Sequence, residues 1–282
     1  MNVLLAEFAS LMWGPWLLIL LLGTGCWLTF SLKGIQVRQI FYSLRLTFSK
    51  EREGEGDISH FGALMTALAA TVGTGNIAGV SIAVALGGPG AIFWMWLTGL
   101  VGMATKYSEG FLAVKYRQVN LKGEISGGPM YYLEKGLGQK WLAICFAFFG
   151  AMAAFGIGNM VQANTTAQAL SRFLGINSFF VGGVMMLLTA MVIIGGIKRI
   201  ADTASYLVPI MVVIYFLGSL IIILNNLDHL GAGIAIILQD AFTGTAATGG
   251  FAGASLANTI RYGVARGLFS NESGMGSAPI AA

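Results

Sequence analysis

Few side chains in this sequence can do chemistry, and most of them fall in two short stretches that interrupt apolar runs. Thr71–Gly79 reads TVGTGNIAG and Ser270–Gly276 reads SNESGMG. The first offers Thr74 and Asn76 among Gly73, Gly75 and Gly79; the second offers Ser270, Asn271 and Glu272 beside Gly274. Glycine in a helix interior costs about 1 kcal/mol relative to alanine, and hydrocarbon leaves an unpaired backbone group unsatisfied. Such a stretch survives in mid-run only where protein shields it or where it lines a wet cavity. Its chemistry is recognition by backbone. Free N–H groups of Thr74–Asn76, at the positive end of the following half-helix, suit a carboxylate. Carbonyls at the first stretch, helped by Ser270, Asn271 and Glu272, suit an ammonium group or a cation.

The remaining polar groups are weighed against simpler readings. Asn159, Gln162 and Asn164 form a polar cluster in one long apolar run. Gln162 is the candidate ligand contact among them, and helix–helix hydrogen bonding accounts for the cluster equally well. Lys106 and Glu109 are three apart in another run, as a snorkelling lysine with an i,i+3 partner would be; a part in gating or proton movement is the alternative. His60 and His229 sit at run edges and receive no role. Cys26 and Cys145 read as reduced packing residues in apolar runs. No pattern resembles a nucleophile–base pair or a metal cluster, so neither an enzyme nor a resident cofactor is expected.

Hydrophobic residues make up 56% of the 282 positions and charged residues 10%, with mean hydropathy +0.77. A soluble domain carries roughly 25% charged residues, so the sequence reads as an all-α, polytopic membrane protein in contact with the lipid bilayer. The net charge of +4 is no nucleic-acid signal, because the basic residues fall in loops with a membrane explanation. Six spans are expected: Leu11–Leu32, Phe61–Leu86, Ala91–Val114, Trp141–Leu170, Phe179–Ile197 and Tyr206–Leu224. The loops after the first, third and fifth hold twelve of the sixteen Lys and Arg, including Lys50, Arg52, Lys122, Lys198 and Arg199. By the positive-inside rule the N-terminus lies outside and the second span rises outward. Beyond Asn225, Gly231–Phe242 reads as an amphipathic helix on the external surface, and a helix enters near Phe251 and runs to Ser270–Gly276. A rival topology spans Ile234–Leu256 instead and puts Arg261 and Arg266 in the cytoplasm.

Gly73-Thr74-Gly75-Asn76 and Gly274-Met275-Gly276-Ser277 lie 201 positions apart. Five spans separate the first break from the second, so the second copy runs through the membrane in the opposite sense. Inverted repeats built on paired broken helices mark secondary transporters, with the ligand held at the breaks. The expected organisation is an extra N-terminal helix over 1–32, a cytoplasmic basic segment over 33–59, and a first five-helix repeat over 60–225. An external segment over 226–250 and the start of a second repeat over 251–282 complete it. A second repeat needs four more spans, so the sequence reads as truncated. Two other readings share the residues of the first break. TVGTG resembles a potassium-channel filter, but it lies inside a full-length span. Gly75 and Gly79 fit the small-xxx-small packing pattern.

At GGPGAIFWMW (Gly87–Trp96), TVGTGNIAG and RGLFSNESGMGSAPIAA (Arg266–Ala282) the chain resembles the alanine or glycine:cation symporter family. The resemblance implies a LeuT-like inverted-repeat fold with one extra N-terminal helix. It further implies a bacterial or archaeal inner-membrane carrier that couples sodium, or protons, to uptake of alanine or glycine. On that resemblance Gly73, Thr74, Gly75, Asn76, Gln162, Ser270, Asn271, Glu272 and Gly274 are the expected substrate contacts, and the carbonyls of Ala69 and Val72 the expected sodium ligands. An inactive truncated fragment, or one half of a split or self-associating transporter, is the competing expectation.

Overall fold

The computed structural model describes residues 7–8, 11–48, 58–119, 125–243 and 256–280. The expectations for Lys50, Arg52, Lys122 and the helix entry near Phe251 lie outside the described residues. Within them the chain is almost wholly helical: α1 Pro15–Ser31, α2 Ile35–Arg38, α3 Ile40–Thr47 and α4 His60–Thr71 come first. A π-helical turn, Gly75–Gly79, leads into α5 Val80–Gly87, followed by α6 Ala91–Lys115. A two-residue antiparallel ladder pairs Gln118–Val119 with Ile125–Ser126, and α7 Pro129–Lys135 follows. Next come α8 Lys140–Ala153, a second π-helical stretch Ala154–Met160 and α9 Val161–Leu174. The last helices are α10 Ser178–Ile193, α11 Gly196–Leu224, α12 Leu227–Thr243 and α13 Leu256–Asn271, before a 3-10 turn over Ala278–Ile280.

Lys140–Leu174 and Gly196–Leu224 are long and apolar enough to cross a membrane, and so is the pair His60–Thr71 with Gly75–Gly87, bent by 49° at its break. Pro15–Ser31 and Ser178–Ile193 are apolar but shorter. α6 has 25 residues, or about 38 Å at 1.5 Å per residue, and carries Lys106, Ser108 and Glu109 among its apolar positions. Apolar side chains face outward along α10 and α11, with Phe179 92% and Ile222 67% exposed, as helices surrounded by hydrocarbon require.

Several expectations are corrected. The fifth span ends at Ile193, and Lys198 and Arg199 lie in the first turn of α11, not in a loop. Gly196, the first residue of α11, has φ +70°. The basic segments contain structure of their own, α2, α3, α7 and the short ladder. α12 and α13 pack against each other. Cys26 and Cys145 are free, and both side chains are exposed rather than buried among the described residues.

The chain divides into two compact units. One gathers the described residues of Met1–Phe41, Gly75–Ser108 and Tyr215–Met275; the other gathers those of Tyr42–Thr74, Glu109–Ile214 and Gly276–Ala282. In the first unit α13 is the centre. Its Val264 and Leu268 form a buried cluster with Leu18 of α1, flanked by Trp13, Leu21 and Trp94. Its glycines let α6 come close: a Cβ at Gly263 would lie 2.6 Å from the Ala91 carbonyl oxygen, and one at Gly267 would collide with the Thr98 hydroxyl. This is small-xxx-small packing, placed at Gly263–Gly267. At the pair expected to use it, a Cβ on Gly75 would make only ordinary contact with Ser270 and one on Gly79 would meet nothing within 4 Å. The C-terminal end of α12 docks on the turn before α6, where buried Asp240 accepts a 2.8 Å hydrogen bond from Gly90 N–H and the Ala241 carbonyl accepts one from Trp94 Nε1 at 3.0 Å.

In the second unit Ser59 caps α4 by accepting from Gly62 N–H at 3.0 Å. α4 buries Met65 against Ala204 and Val208 of α11, while α7 packs on α8 and α9 on α10. The 3-10 turn lies against α4. Gly276, just before it, is crowded by Phe146 and Pro129.

Leucine at Gly263 or Gly267 should force α13 off α6 and lower stability by about 1–3 kcal/mol, seen as a reduced thermal midpoint of the purified protein in detergent. Gly110→Ala on α6, where a Cβ would meet nothing within 4 Å, should leave the midpoint unchanged or raise it slightly. Asp240→Ala should leave the buried Gly90 amide unpaired at a cost of about 1–3 kcal/mol, and Asp240→Asn should recover part of it.

Candidate functional site

In the second unit α4 ends at Thr71, and Val72 leaves the helix in an extended conformation with φ −91° and ψ 102°. Its N–H donates to the Leu68 carbonyl at 2.7 Å. Ala69 sits in the last turn of α4, where a helix runs out of donors for its carbonyls. Gly73 and Thr74 follow, and here the structure brings two predicted residues together. Gln162 Oε1 accepts from the Thr74 hydroxyl at 2.7 Å and from the Thr74 backbone N–H at 3.3 Å. A Cβ at Gly73 would lie 3.3 Å from the same oxygen, so glycine admits the amide.

The Thr74 N–H is therefore engaged, not free as the sequence suggests. A neutral amide oxygen stands in the place expected of a carboxylate oxygen. Gln162 is delivered by the π-helical stretch Ala154–Met160, which ends two residues before it. A π-bulge shifts the register of the side chains that follow, and such bulges concentrate at functional sites. The other two members of the polar cluster do not join the contact. Asn164 is exposed and accepts from Gln168 Nε2 at 3.2 Å along its own helix, and Asn159 is exposed within the π-helical stretch.

In the first unit Gly75 and Asn76 open the π-helical turn that leads into α5. This turn packs against α13. A Cβ at Gly75 would lie 3.8 Å from the Ser270 Cα, an ordinary van der Waals contact. Ser270 is buried, and both it and Asn271 belong to the last turn of α13. The second break thus begins two residues later than the sequence suggests, at Glu272, whose φ of +51° is left-handed, followed by Gly274 at +81° and Gly276 at +74°. A non-glycine residue in that region is uncommon, so Glu272 marks the point where helix gives way to turn.

Two residues left out of the expected contact set reach the second break. The Lys106 ammonium donates to the Asn271 carbonyl at 3.0 Å. It does not snorkel away from the protein; it is held at the C-terminal end of α13. Glu109, 9% exposed, accepts from Gly276 N–H at 3.1 Å. Burial, and then the Glu109 carboxylate, push the Tyr132 phenol on α7 up to about 12. The signal was present in the sequence, since two opposite charges inside a membrane span mark function by default. Among the described residues no group of three His, Cys, Asp or Glu could hold a metal ion.

The profile of the sodium:alanine symporter family matches residues 1–282. The chain is 54% identical over 279 residues to the sodium/alanine symporter AgcS of Methanococcus maripaludis, covering 97% of this chain and 61% of the relative. It is 51% identical over 280 residues to an uncharacterized transporter of Haemophilus influenzae, covering 99% of this chain and 61% of that one. With the probable sodium/glutamine symporter GlnT of Bacillus subtilis the identity is 41% over 278 residues, at 97% and 56% coverage. The chain thus spans about three fifths of the length of these relatives. With a match over its whole length and these identities, it belongs to the sodium:alanine symporter family.

Proposed function

We propose that this protein acts in cation-coupled uptake of a small amino acid, alanine or glycine, with sodium or a proton as the coupling ion. The observation that carries the reading is the Thr74–Gln162 contact. An amide N–H and a hydroxyl converge there on one oxygen at the end of a broken helix, the arrangement that receives a carboxylate oxygen in water-poor surroundings. A substrate carboxylate would take the place of Gln162 Oε1 at Thr74, and the displaced amide could turn its own N–H groups toward the carboxylate. Gly73 leaves no side chain in the way, which favours a ligand with a methyl group or none. The AgcS name supports alanine and sodium, whereas GlnT is named a probable sodium/glutamine symporter, so the choice of side chain rests on this chain's own residues.

The carbonyls of Ala69 and Val72, at the end of α4, are the proposed cation ligands. A bound cation would offset the partial negative charge that a helix C-terminus carries. The proposed organisation is an inverted repeat, with 60–225 as the first copy and 251–282 opening the second, and with the N-terminus outside a prokaryotic inner membrane. Binding of cation and substrate together would favour one state of the carrier over another by their differential affinity.

Proteoliposomes carrying the protein should accumulate labelled alanine when an inward sodium gradient is imposed, and a proton gradient alone separates the two coupling ions. Gradient-independent equilibration would overturn coupling, and no alanine binding at all would overturn the substrate. Gln162→Leu and Thr74→Val should each weaken alanine binding by about tenfold or more, since each removes a hydrogen bond to a charged group worth about 1.5–3 kcal/mol. Unchanged affinity in both, by equilibrium binding to the purified protein, would move the carboxylate site elsewhere. Asn76→Leu is expected to abolish binding in the same assay.

A further inference from the structure

We infer that Lys106 and Glu109 are positioning residues for the second break, each holding one of the backbone ends that the break exposes. A helix C-terminus presents unpaired carbonyls and partial negative charge; the start of the next turn presents unpaired amides and partial positive charge. Lys106 Nζ donates to the carbonyl of Asn271, the last residue of α13. Glu109 Oε1 accepts from the N–H of Gly276, two residues before the 3-10 turn. The order of the charges along α6, positive and then negative, therefore follows the polarity of the broken chain. Reversed, each charge would meet its like.

α6 also fits the break sterically. A Cβ at Gly102, one turn before Lys106, would lie 2.5 Å from the Ser273 hydroxyl, and Ser273 is itself only 3% exposed. A larger residue there would force Ser273 to move. In water these hydrogen bonds would be replaced readily; inside a membrane protein the freed backbone groups need partners from neighbouring helices. The simpler account of Lys106 and Glu109, a mutual i,i+3 pair, is indifferent to which residue carries which charge. Positioning of the break is not.

The inference rests on the transport reading for its activity assay and is independent of it for its structural readout. The experiment compares E109Q, E109M and the double swap K106E/E109K with the wild type. Hydrogen–deuterium exchange over 272–280 is read in the purified protein, and amino-acid uptake is read in proteoliposomes. E109Q keeps an acceptor oxygen and should retain the protection of the segment and most of the uptake. E109M should raise exchange about tenfold or more, as a buried amide that loses its acceptor does, and lower the ratio of maximal uptake rate to half-saturation by a similar factor. The swap should be as unprotected as E109M, or fail to fold where E109Q folds.

A swap with wild-type protection would show that only the mutual pair matters and overturn the inference, as would unaltered protection in E109M. If E109M is not recovered folded, E109Q and the swap decide it: loss of protection in E109Q, or wild-type protection in the swap, overturns it. Protection that depends on residue 109 in a wild type that takes up no amino acid supports this inference while overturning the transport reading.

Discussion

A backbone that leaves its helix within an apolar run must find partners for the amides and carbonyls it frees. The chain does so at two places, and the surrounding structure follows from how each is met. At the first, the amide of Thr74 turns to the Gln162 side chain. At the second, the Asn271 carbonyl and the Gly276 amide turn to two charges on α6. Each solution has its own character. A neutral amide oxygen can be exchanged for a ligand oxygen at modest cost, whereas a fixed charge on a half-helix terminus is costly to remove. The first break is thus suited to exchange and the second to a defined geometry.

Glycine has distinct uses around these breaks. At Gly263 and Gly267 it brings α13 and α6 together, and at Gly102 it admits the Ser273 hydroxyl. At Gly274 and Gly276 it permits the left-handed backbone with which the second break turns. At Gly73 it leaves space for a polar side chain, and by the same reasoning for a small ligand. In a lipid setting, where apolar side chains gain little by leaving hydrocarbon, close approach of this kind is a principal source of helix association.

The π-helical turns connect local sequence to the candidate site. One opens the second half of the broken span at Gly75–Gly79, and the other ends two residues before Gln162. Both contain two glycines and one asparagine, residues that tolerate a widened turn at a cost in helix stability. That cost is incurred where a side chain or backbone group is presented to a partner.

The sequence by itself determined the membrane character, the order and rough extent of the helices, and the position of both breaks. Each depends on runs of apolar residues and on glycine, which act locally. It also marked Thr74 and Gln162 as polar groups out of place in such runs. Only the tertiary structure decided that these two meet, 88 positions apart, and that Lys106 and Glu109 serve the second break. It also decided that Gly263 and Gly267, not Gly75 and Gly79, form the close helix contact. Spacing reveals which groups need partners, because the cost of an unpaired group is local. The partner itself depends on which helix lies alongside, and that is set by packing between segments far apart in the chain.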